Sequence, residues 1–379
     1  MVFVAKNIFE KGGLEHNVFK DESFLYPEFV PERLPHRDKE IDSIVFAFNP
    51  VLSGKKPQNV FIAGPTGCGK TAVTKFVLNE LEEFSDRAKA IYINCFEFNS
   101  RHSVLSKIAN FIGSPTPRRG IATDEIYSQF LSALKKSDFV PIIILDEVDQ
   151  LVLSSEGSKL LYDLSRINEH EKSVVGLALV SNNVSLVASL DPRVKSSLTE
   201  ERILFEGYSP QQLKDILLQR TQYAFVSGVL SDEIIGVAAA HAAKMGGDAR
   251  VAIESLLKAG REAERENSGK VMLRHLKKAF EAVDSVSLLK GLKHLGETEK
   301  ILLGEIALNE GVSSGTLFEL FSKKSKTPLS ERRIRDYLNS LEKKDFVVAE
   351  EVSMGNKGKT RKYACRLPKK MILQELANQ

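Results

Sequence analysis

The sequence predicts a doubly wound α/β domain on a parallel sheet, followed by an all-helical lid and a C-terminal winged helix. Three observations carry this. One phosphate-loop pattern is flanked by an apolar run and a helical periodicity; five short apolar runs alternate with helical segments; and the last quarter reads as three amphipathic helices followed by two β-like segments with a basic tip between them.

The loop is Gly64-Pro65-Thr66-Gly67-Cys68-Gly69-Lys70-Thr71, a full match to G-x-x-x-x-G-K-[ST]. Asn59 to Ala63 supplies the strand before it and Ala72 to Phe84 the helix after it. Glycines let successive N–H groups turn inward toward phosphate oxygens, and the helix adds the positive end of its dipole. Residues Gly64 to Ala72 are therefore the candidate nucleotide cradle, with Lys70 reaching the β- and γ-phosphates and Thr71 holding magnesium. Cys68 lies in the loop as a bystander.

The remaining strands are expected at Ala90 to Asn94, Pro141 to Leu145, Val174 to Ser181 and Arg202 to Phe205. Unbroken apolar runs of this kind belong to strands covered on both faces. Asp146-Glu147 ends the third. A strand beside the phosphate loop would bring Asp146 to the magnesium, leaving Glu147 to orient and deprotonate the attacking water. Asp149 is a candidate cap for the next helix. Asn182, past the fourth run, can hold the water or the γ-phosphate; Asn183 is the alternative, and a turn-forming asparagine is the bland reading. In Leu190 to Ser197, Arg193 is either an arginine finger or a surface arginine.

Ahead of this core, Phe24 to Arg37 carries three prolines in nine residues, which excludes a helix there. A helix is expected from Asp38. The proline stretch either packs over the adenine or docks as a tail. From Gly207 to about Asp284 the pattern is helical, with Ser209 and Ser231 as N-caps. Gly246-Gly247-Asp248-Ala249-Arg250 interrupts it and makes Arg250 a candidate for reaching back to the phosphates. Tyr208 at the hinge and Arg220 on the first lid helix could flank the nucleotide. Glu262 to Lys270 reads as a polar exposed turn.

The C-terminal part changes character at Leu288. Helices are expected at Glu299 to Leu308, Thr316 to Phe321 and Ser330 to Lys343, and β segments at Phe346 to Val352 and Thr360 to Leu367. This is the order of a winged helix, whose third helix enters the major groove. Arg332, Arg333 and Arg335 on that helix, with Lys357, Lys359, Arg361 and Lys362 of the hairpin, are the candidate DNA contacts. A winged helix used for protein contacts is the alternative. From Leu288 onward Lys+Arg outnumber Asp+Glu 18 to 12, against 35 to 38 in the rest, so the basic excess sits in this segment.

Composition narrows the class further. The 379 residues suggest three domains: 1–207, 208–285 and 286–379. Three widely spaced cysteines fit neither a disulfide framework nor a C-x-x-C zinc site. No apolar run is long enough to span a bilayer and the N-terminus lacks a secretory signal, so a cytoplasmic, nucleoid-associated protein with no membrane partner is expected.

Taken in this order, the segments resemble the AAA+ initiators of DNA replication. The likeness is to the archaeal proteins related to both origin recognition complex subunit one and cell-division-control protein six. Phe29 to Arg37 resembles the family's N-terminal box, Gly64 to Thr71 its Walker A, Ile142 to Asp149 its Walker B, Ser181 to Asn183 its sensor 1, Leu190 to Ser197 its finger segment and Gly247 to Arg250 its sensor 2. Asn183, where many relatives are acidic, and the loop Pro115 to Gly120 are departures that a divergent paralogue would carry.

The resemblance implies ATP or ADP with Mg²⁺ as ligands, with Val30 and Arg33 among the nucleotide contacts and slow, switch-like hydrolysis. It also implies binding of double-stranded origin DNA, with Arg118 and Arg119 in an ATPase-domain insertion as further contacts. The replicative helicase is an implied partner, as is a paralogous initiator on the same DNA. The alternatives are a nucleotide-switched DNA-binding regulator without loading activity and a ring-forming ATPase similar to a clamp loader.

Overall fold

The computed structural model describes residues 17–116, 120–152, 154–170, 174–190, 192–198, 201–292, 295–324, 329–344, 346–353 and 359–377. They form two compact units, one ending at Leu276 and one beginning at Lys277.

The first unit runs α1 (Asp38–Phe48), β1 (Val60–Ala63), α2 (Lys70–Phe84), β2 (Ala88–Asn94), α3 (Arg101–Phe111), α4 (Thr123–Leu134) and β3 (Val140–Asp146). It continues with α5 (Asp149–Val152), α6 (Ser155–Ser165), α7 (Ile167–His170), β4 (Gly176–Ser181), α8 (Leu186–Ser189), α9 (Pro192–Leu198) and β5 (Glu201–Leu204). The five strands form one parallel sheet in the order β2-β3-β4-β1-β5.

Side chains alternate across each strand, so Phe61, Ile143 and Leu179 enter a core beneath α3, α4 and α6, whereas Ile62, Ile144 and Val180 enter one beneath α1 and α2. Both faces of the central strands β1, β3 and β4 are covered, which is why these read as unbroken apolar runs; the edge strands β2 and β5 correct that expectation, since Lys89, Arg202 and Leu204 are exposed. One expectation is corrected: β3 is not beside the phosphate-loop strand, because β4 lies between β1 and β3. The register nevertheless ends Ala63, Ser181 and Asp146 along one carboxyl edge, since Ala63 pairs with Ser181 and Asp146 with Val180.

Four helices follow: α10 (Pro210–Ala224), α11 (Asp232–Lys244), α12 (Ala249–Arg265) and α13 (Leu273–Leu292). Ser209 and Gln212 form a reciprocal capping box, Ser231 accepts from Ile234 N, and Asp248 accepts from Arg250 N. The stretch expected as an exposed turn from Glu262 is helical through Arg265, its charges being a solvent face on which Arg265 pairs with Glu262 at 2.8 Å.

The N-terminal extension docks along this lid. Phe19 bridges Phe225, Phe24 stacks on Tyr223 with ring centroids 5.2 Å apart, and Arg261 grips both carboxylate oxygens of Glu22 at 3.0 Å. One 3-10 turn, Glu22–Leu25, precedes the proline stretch.

The unit boundary falls inside α13, ahead of the composition change at Leu288. The second unit contains α14 (Glu297–Leu308), β6 (Val312–Ser313), α15 (Ser314–Lys324), α16 (Glu331–Lys343), β7 (Val347–Ser353), β8 (Lys359–Cys365) and α17 (Lys369–Ala377). Its antiparallel sheet has the order β6-β8-β7. Three helices with a terminal hairpin fit a winged helix; β6, of two residues, and the C-terminal helix α17 are not among the expected elements.

Leu302, Ile306, Leu317, Phe321, Ile334, Leu338 and Tyr363 form its core. Glu299 is buried beside that core. It is satisfied by Lys344 Nζ at 2.7 and 2.9 Å, Ser340 Oγ at 2.8 Å and Gly296 N at 3.2 Å. Among the described residues no helix is long and apolar enough to cross a membrane.

Candidate functional site

The site sits where β1, β3 and β4 end. Gly67 and Gly69 take φ of 66° and 95°, conformations that L side chains rarely adopt, and α2 begins at the next residue, Lys70. The Lys70 ammonium is buried and has three donors to satisfy. Its Nζ donates to Gly64 O at 2.8 Å, Pro65 O at 2.7 Å and Asn182 Oδ1 at 2.9 Å. Cys68 Sγ lies 3.8 Å away, and burial pushes that thiol up, keeping it protonated. Pro65 and Thr66 are exposed at the loop's crown and Ala72 is half-buried on α2.

Asp146 is the hub of the opposite wall. Its Oδ2 accepts from Thr71 Oγ1 and from the Tyr92 hydroxyl, both at 2.7 Å, while Oδ1 accepts from Glu147 N at 2.9 Å. Burial drives the Tyr92 phenol upward, reinforced by the Asp146 charge and bond, so Tyr92 is a donor at any working pH.

Glu147 has φ of 56°, strained for a non-glycine residue. Its Oε2 accepts from Asn182 Nδ2 at 2.6 Å. Burial raises the Glu147 carboxyl and the Asn182 bond opposes that rise. Asn182 thus bridges Lys70 and Glu147. Asn183 does neither: its side chain accepts from Ser185 N at 2.9 Å and shapes the turn. Asp149 selects between them by accepting from Ser181 Oγ at 2.8 Å and Asn182 N at 3.3 Å, so its carboxylate anchors the end of β4.

The lid meets the loop at two points. Ala249 N donates to Gly67 O at 3.1 Å beside the Asp248 carboxylate, and the Tyr208 hydroxyl lies against Gly69. Arg250 is exposed one residue into α12. Arg220 donates to Phe24 O at 2.9 Å and Phe29 O at 3.2 Å, holding the extension against the lid. Val30 is half-buried in that extension, and the backbone of exposed Arg33 accepts from Gln219 at 3.1 Å. Arg193 lies on α9, apart from these groups, lining a cavity of about 230 Å³ with Ser158, Lys159, Tyr162 and Val194.

Among the described residues no cluster of three or more His, Cys, Asp or Glu could hold a metal alone. The Thr71 hydroxyl and the Asp146 carboxylate, 2.7 Å apart, are oxygen donors of the kind that could hold Mg²⁺ with the help of further ligands from outside the protein.

Residues 54–186 match the model of the AAA domain, and residues 214–281 match that of the Cdc6 AAA+ ATPase-type lid domain. The ORC1-type DNA replication protein of Thermococcus kodakarensis is 37% identical over 384 residues, covering 97% of this chain and 92% of that one. The chain belongs to the ORC1-type DNA replication proteins.

A second such relative, ORC1-type DNA replication protein 1 of Archaeoglobus fulgidus, is 36% identical, covering 98% of this chain and 93% of its own. The solved structure of the Aeropyrum pernix ORC1 protein in complex with DNA is 32% identical with a TM-score of 0.73, covering 97% of this chain and 98% of that one. At 23% identity, the Aeropyrum pernix ORC2 protein in its ADPNP-ADP complexes shares the fold, with a TM-score of 0.72 over 95% of this chain and 98% of its own. This ORC1-type protein is an AAA+ ATPase. Its matched AAA region contains the loop, Asp146, Glu147 and Asn182, and its matched lid region contains Arg220, Asp248 and Arg250.

In the second unit Arg332, Arg333 and Arg335 are exposed on α16, and Arg335 pairs with Glu331 at 3.3 Å. Arg361 on β8 pairs with Glu342 at 3.5 Å. A cavity of about 580 Å³ lies between them, lined by Ser314, Gly315, Arg335, Asn339, Thr360, Arg361 and Tyr363. Asn339 follows Arg335 by one helical turn, the spacing that signals a shared face. Arg118, Arg119 and Lys357 lie outside the described residues; Lys359 begins β8.

Proposed function

We propose that this protein is an ATP-dependent initiator of DNA replication that binds duplex origin DNA and helps to recruit the replicative helicase, working in the cytoplasm at the nucleoid. The observation that supports this best is the bridge from Lys70 through Asn182 to Glu147, in a family whose Aeropyrum pernix ORC1 member was solved with DNA.

For the nucleotide, Gly64 to Ala72 cradle the phosphates, with Lys70 and Arg250 supplying positive charge and Thr71 and Asp146 holding Mg²⁺. The ion, when bound, neutralises charge on the phosphates. Glu147 takes the proton of the attacking water, a task its raised proton affinity suits, and Asn182 fixes the direction of its carboxylate. Phosphoryl transfer needs positioning and charge neutralisation more than covalent help. Val30, Arg33, Tyr208 and Arg220 line or shape the nucleoside side, and Arg193 acts on the nucleotide of a neighbouring molecule.

For DNA, Arg332, Arg333 and Arg335 face the major groove while Arg361, Lys357 and Lys359 contact the flanking backbone, joined by Arg118 and Arg119. Each phosphate contact releases counterions, so affinity falls with salt. The test is selection from a genomic duplex library over a salt series, comparing wild type with Arg333→Ala. Enrichment of a few sites that weakens in the variant is expected. Uniform binding to bulk duplex in both proteins would overturn the origin reading.

A further inference from the structure

One guanidinium lies where three parts of the first unit converge. Arg37, immediately before α1, has a side chain only 5% exposed. Its Nε donates to Cys68 O in the phosphate loop at 3.1 Å and to the Tyr208 hydroxyl at 3.0 Å. Nη2 donates to Glu206 O at 2.8 Å, where β5 passes into the lid, and Nη1 pairs with Glu40 at 2.7 Å. The guanidinium carbon lies 4.0 Å from the centroid of the Tyr208 ring and 5.1 Å from that of Phe205.

A planar fork suits this place and a point charge does not. A rigid guanidinium can address a loop carbonyl, a hinge carbonyl, a phenol and a carboxylate at once while its carbon sits over an aromatic ring. The partners are also connected to the nucleotide site. The carbonyl belongs to the residue two before Lys70, and the Tyr208 hydroxyl would stand 2.6 Å from a Cβ at Gly69. Tyr208 N in turn donates to Gly247 O at 3.1 Å, in the turn that leads to Asp248 and α12.

We propose that Arg37 is a positioning residue that couples the phosphate loop to the lid. A change in the Cys68 carbonyl when phosphates enter the loop alters the bonds that the same side chain gives to Glu206 and Tyr208, and so biases the angle of the lid. The inference rests on the nucleotide reading of the loop for its trigger. The extension is then part of the switch: its far end docks on the lid through Glu22 and Arg261, and its near end carries the residue that senses the loop.

The experiment uses the full chain with spin labels at Glu83→Cys on α2 and Lys244→Cys on α11, both exposed positions, in a Cys365→Ser background. The label-to-label distance distribution is recorded with no nucleotide, with ADP and with a non-hydrolysable ATP analogue, alongside KM and kcat for ATP. Wild type is expected to shift its distribution with nucleotide. Arg37→Lys is expected to stay folded, to lose that shift and to raise KM roughly tenfold, the equivalent of about 1.4 kcal/mol, with a much smaller change in kcat. Glu22→Gln loosens the far end of the extension and is expected to keep the shift.

A wild-type shift in Arg37→Lys would overturn the proposal. Equal loss in Arg37→Lys and Glu22→Gln would overturn it too, by assigning the effect to docking of the whole extension. Failure of wild type to bind either nucleotide would instead strike the reading of the loop, and the nucleotide-free distribution of Arg37→Lys separates the two: a broader distribution than wild type supports the junction, an identical one refutes it.

Discussion

Gly67→Ala tests the closest contact between loop and lid. At φ of 66°, an alanine costs about 1–2 kcal/mol for the left-handed backbone alone. Its Cβ would also lie 1.6 Å from Asp248 Oδ1 and 2.0 Å from Asp248 Cγ. That carboxylate can swing aside, but only by giving up Arg250 N, which it holds at 2.8 Å as the cap of α12. Loss of such a cap costs about 1 kcal/mol.

The expected total is roughly 2–3 kcal/mol. Gly54→Ala is the control: φ is 68° with nothing within 4 Å of the added Cβ, so only the backbone component applies. The decisive comparison is a double-mutant cycle by calorimetry on the full chain. With Asp248→Ala already made, Gly67→Ala has no cap left to displace and should fall to the cost of Gly54→Ala, a coupling of about 1 kcal/mol, or about 2–4 °C in melting temperature. Additivity within about 0.3–0.5 kcal/mol would refute the seating of Asp248 on the loop.

Tyr92→Phe removes one of two hydroxyl donors from Asp146 Oδ2, so a Mg²⁺ titration of ATP turnover should show roughly tenfold weaker metal dependence, in line with loss of one hydrogen bond to a charged group. Glu147→Gln should abolish turnover yet melt higher than wild type at pH 7. Burial holds the Glu147 proton above the ordinary 4.5, so its ionisation weakens the fold as pH rises through that window; the advantage of glutamine should vanish toward pH 4. Glu299 behaves oppositely. Burial works against its charge, but Lys344, Ser340 and Gly296 N–H hold the carboxyl below the ordinary 4.5, so Glu299→Gln should destabilise the protein at pH 7 by roughly 1–2 kcal/mol. That deficit should close as acid protonates the wild-type carboxylate below 4.5. In DNA-binding titrations, Arg332→Ala should lower the salt dependence by about one counterion.

Features set by neighbours in the chain were legible in the sequence. The phosphate loop needs eight consecutive residues, the central strands β1, β3 and β4 announce burial on both faces by lacking polar alternation, and Ser209, Ser231 and Ser330 cap the helices they precede. Strand order was not legible, because crossovers carry no local signal, and β4 separates β1 from β3. The choice between Asn182 and Asn183 was equally hidden: two adjacent asparagines are alike until Asp149 holds the Ser181 hydroxyl and the Asn182 N–H. Tyr92 and Arg37 escaped for the same reason, since their hydroxyl and guanidinium act on residues 54 and 171 positions away.

The side-chain bonds found only in three dimensions share a property that bears on how the site works. Thr71 and Tyr92 bond the same oxygen of Asp146, Lys70 and Glu147 bond the same amide of Asn182, and Cys68, Glu206 and Tyr208 bond the same guanidinium of Arg37. Each hub joins a group that the proposed function assigns to phosphate, metal or the phosphate loop to one that it does not. Polar hubs exchange partners without opening a void, whereas the apolar cores on either side of the sheet cannot shift without loss of packing. On the proposed reading, a nucleotide that took Lys70 from Asn182 would alter Glu147 directly, and a change at Cys68 would reach the lid through the one side chain of Arg37. The proposed switch thus needs only these shared acceptors and donors to exchange partners at the sheet's edge, with the apolar layers left in place.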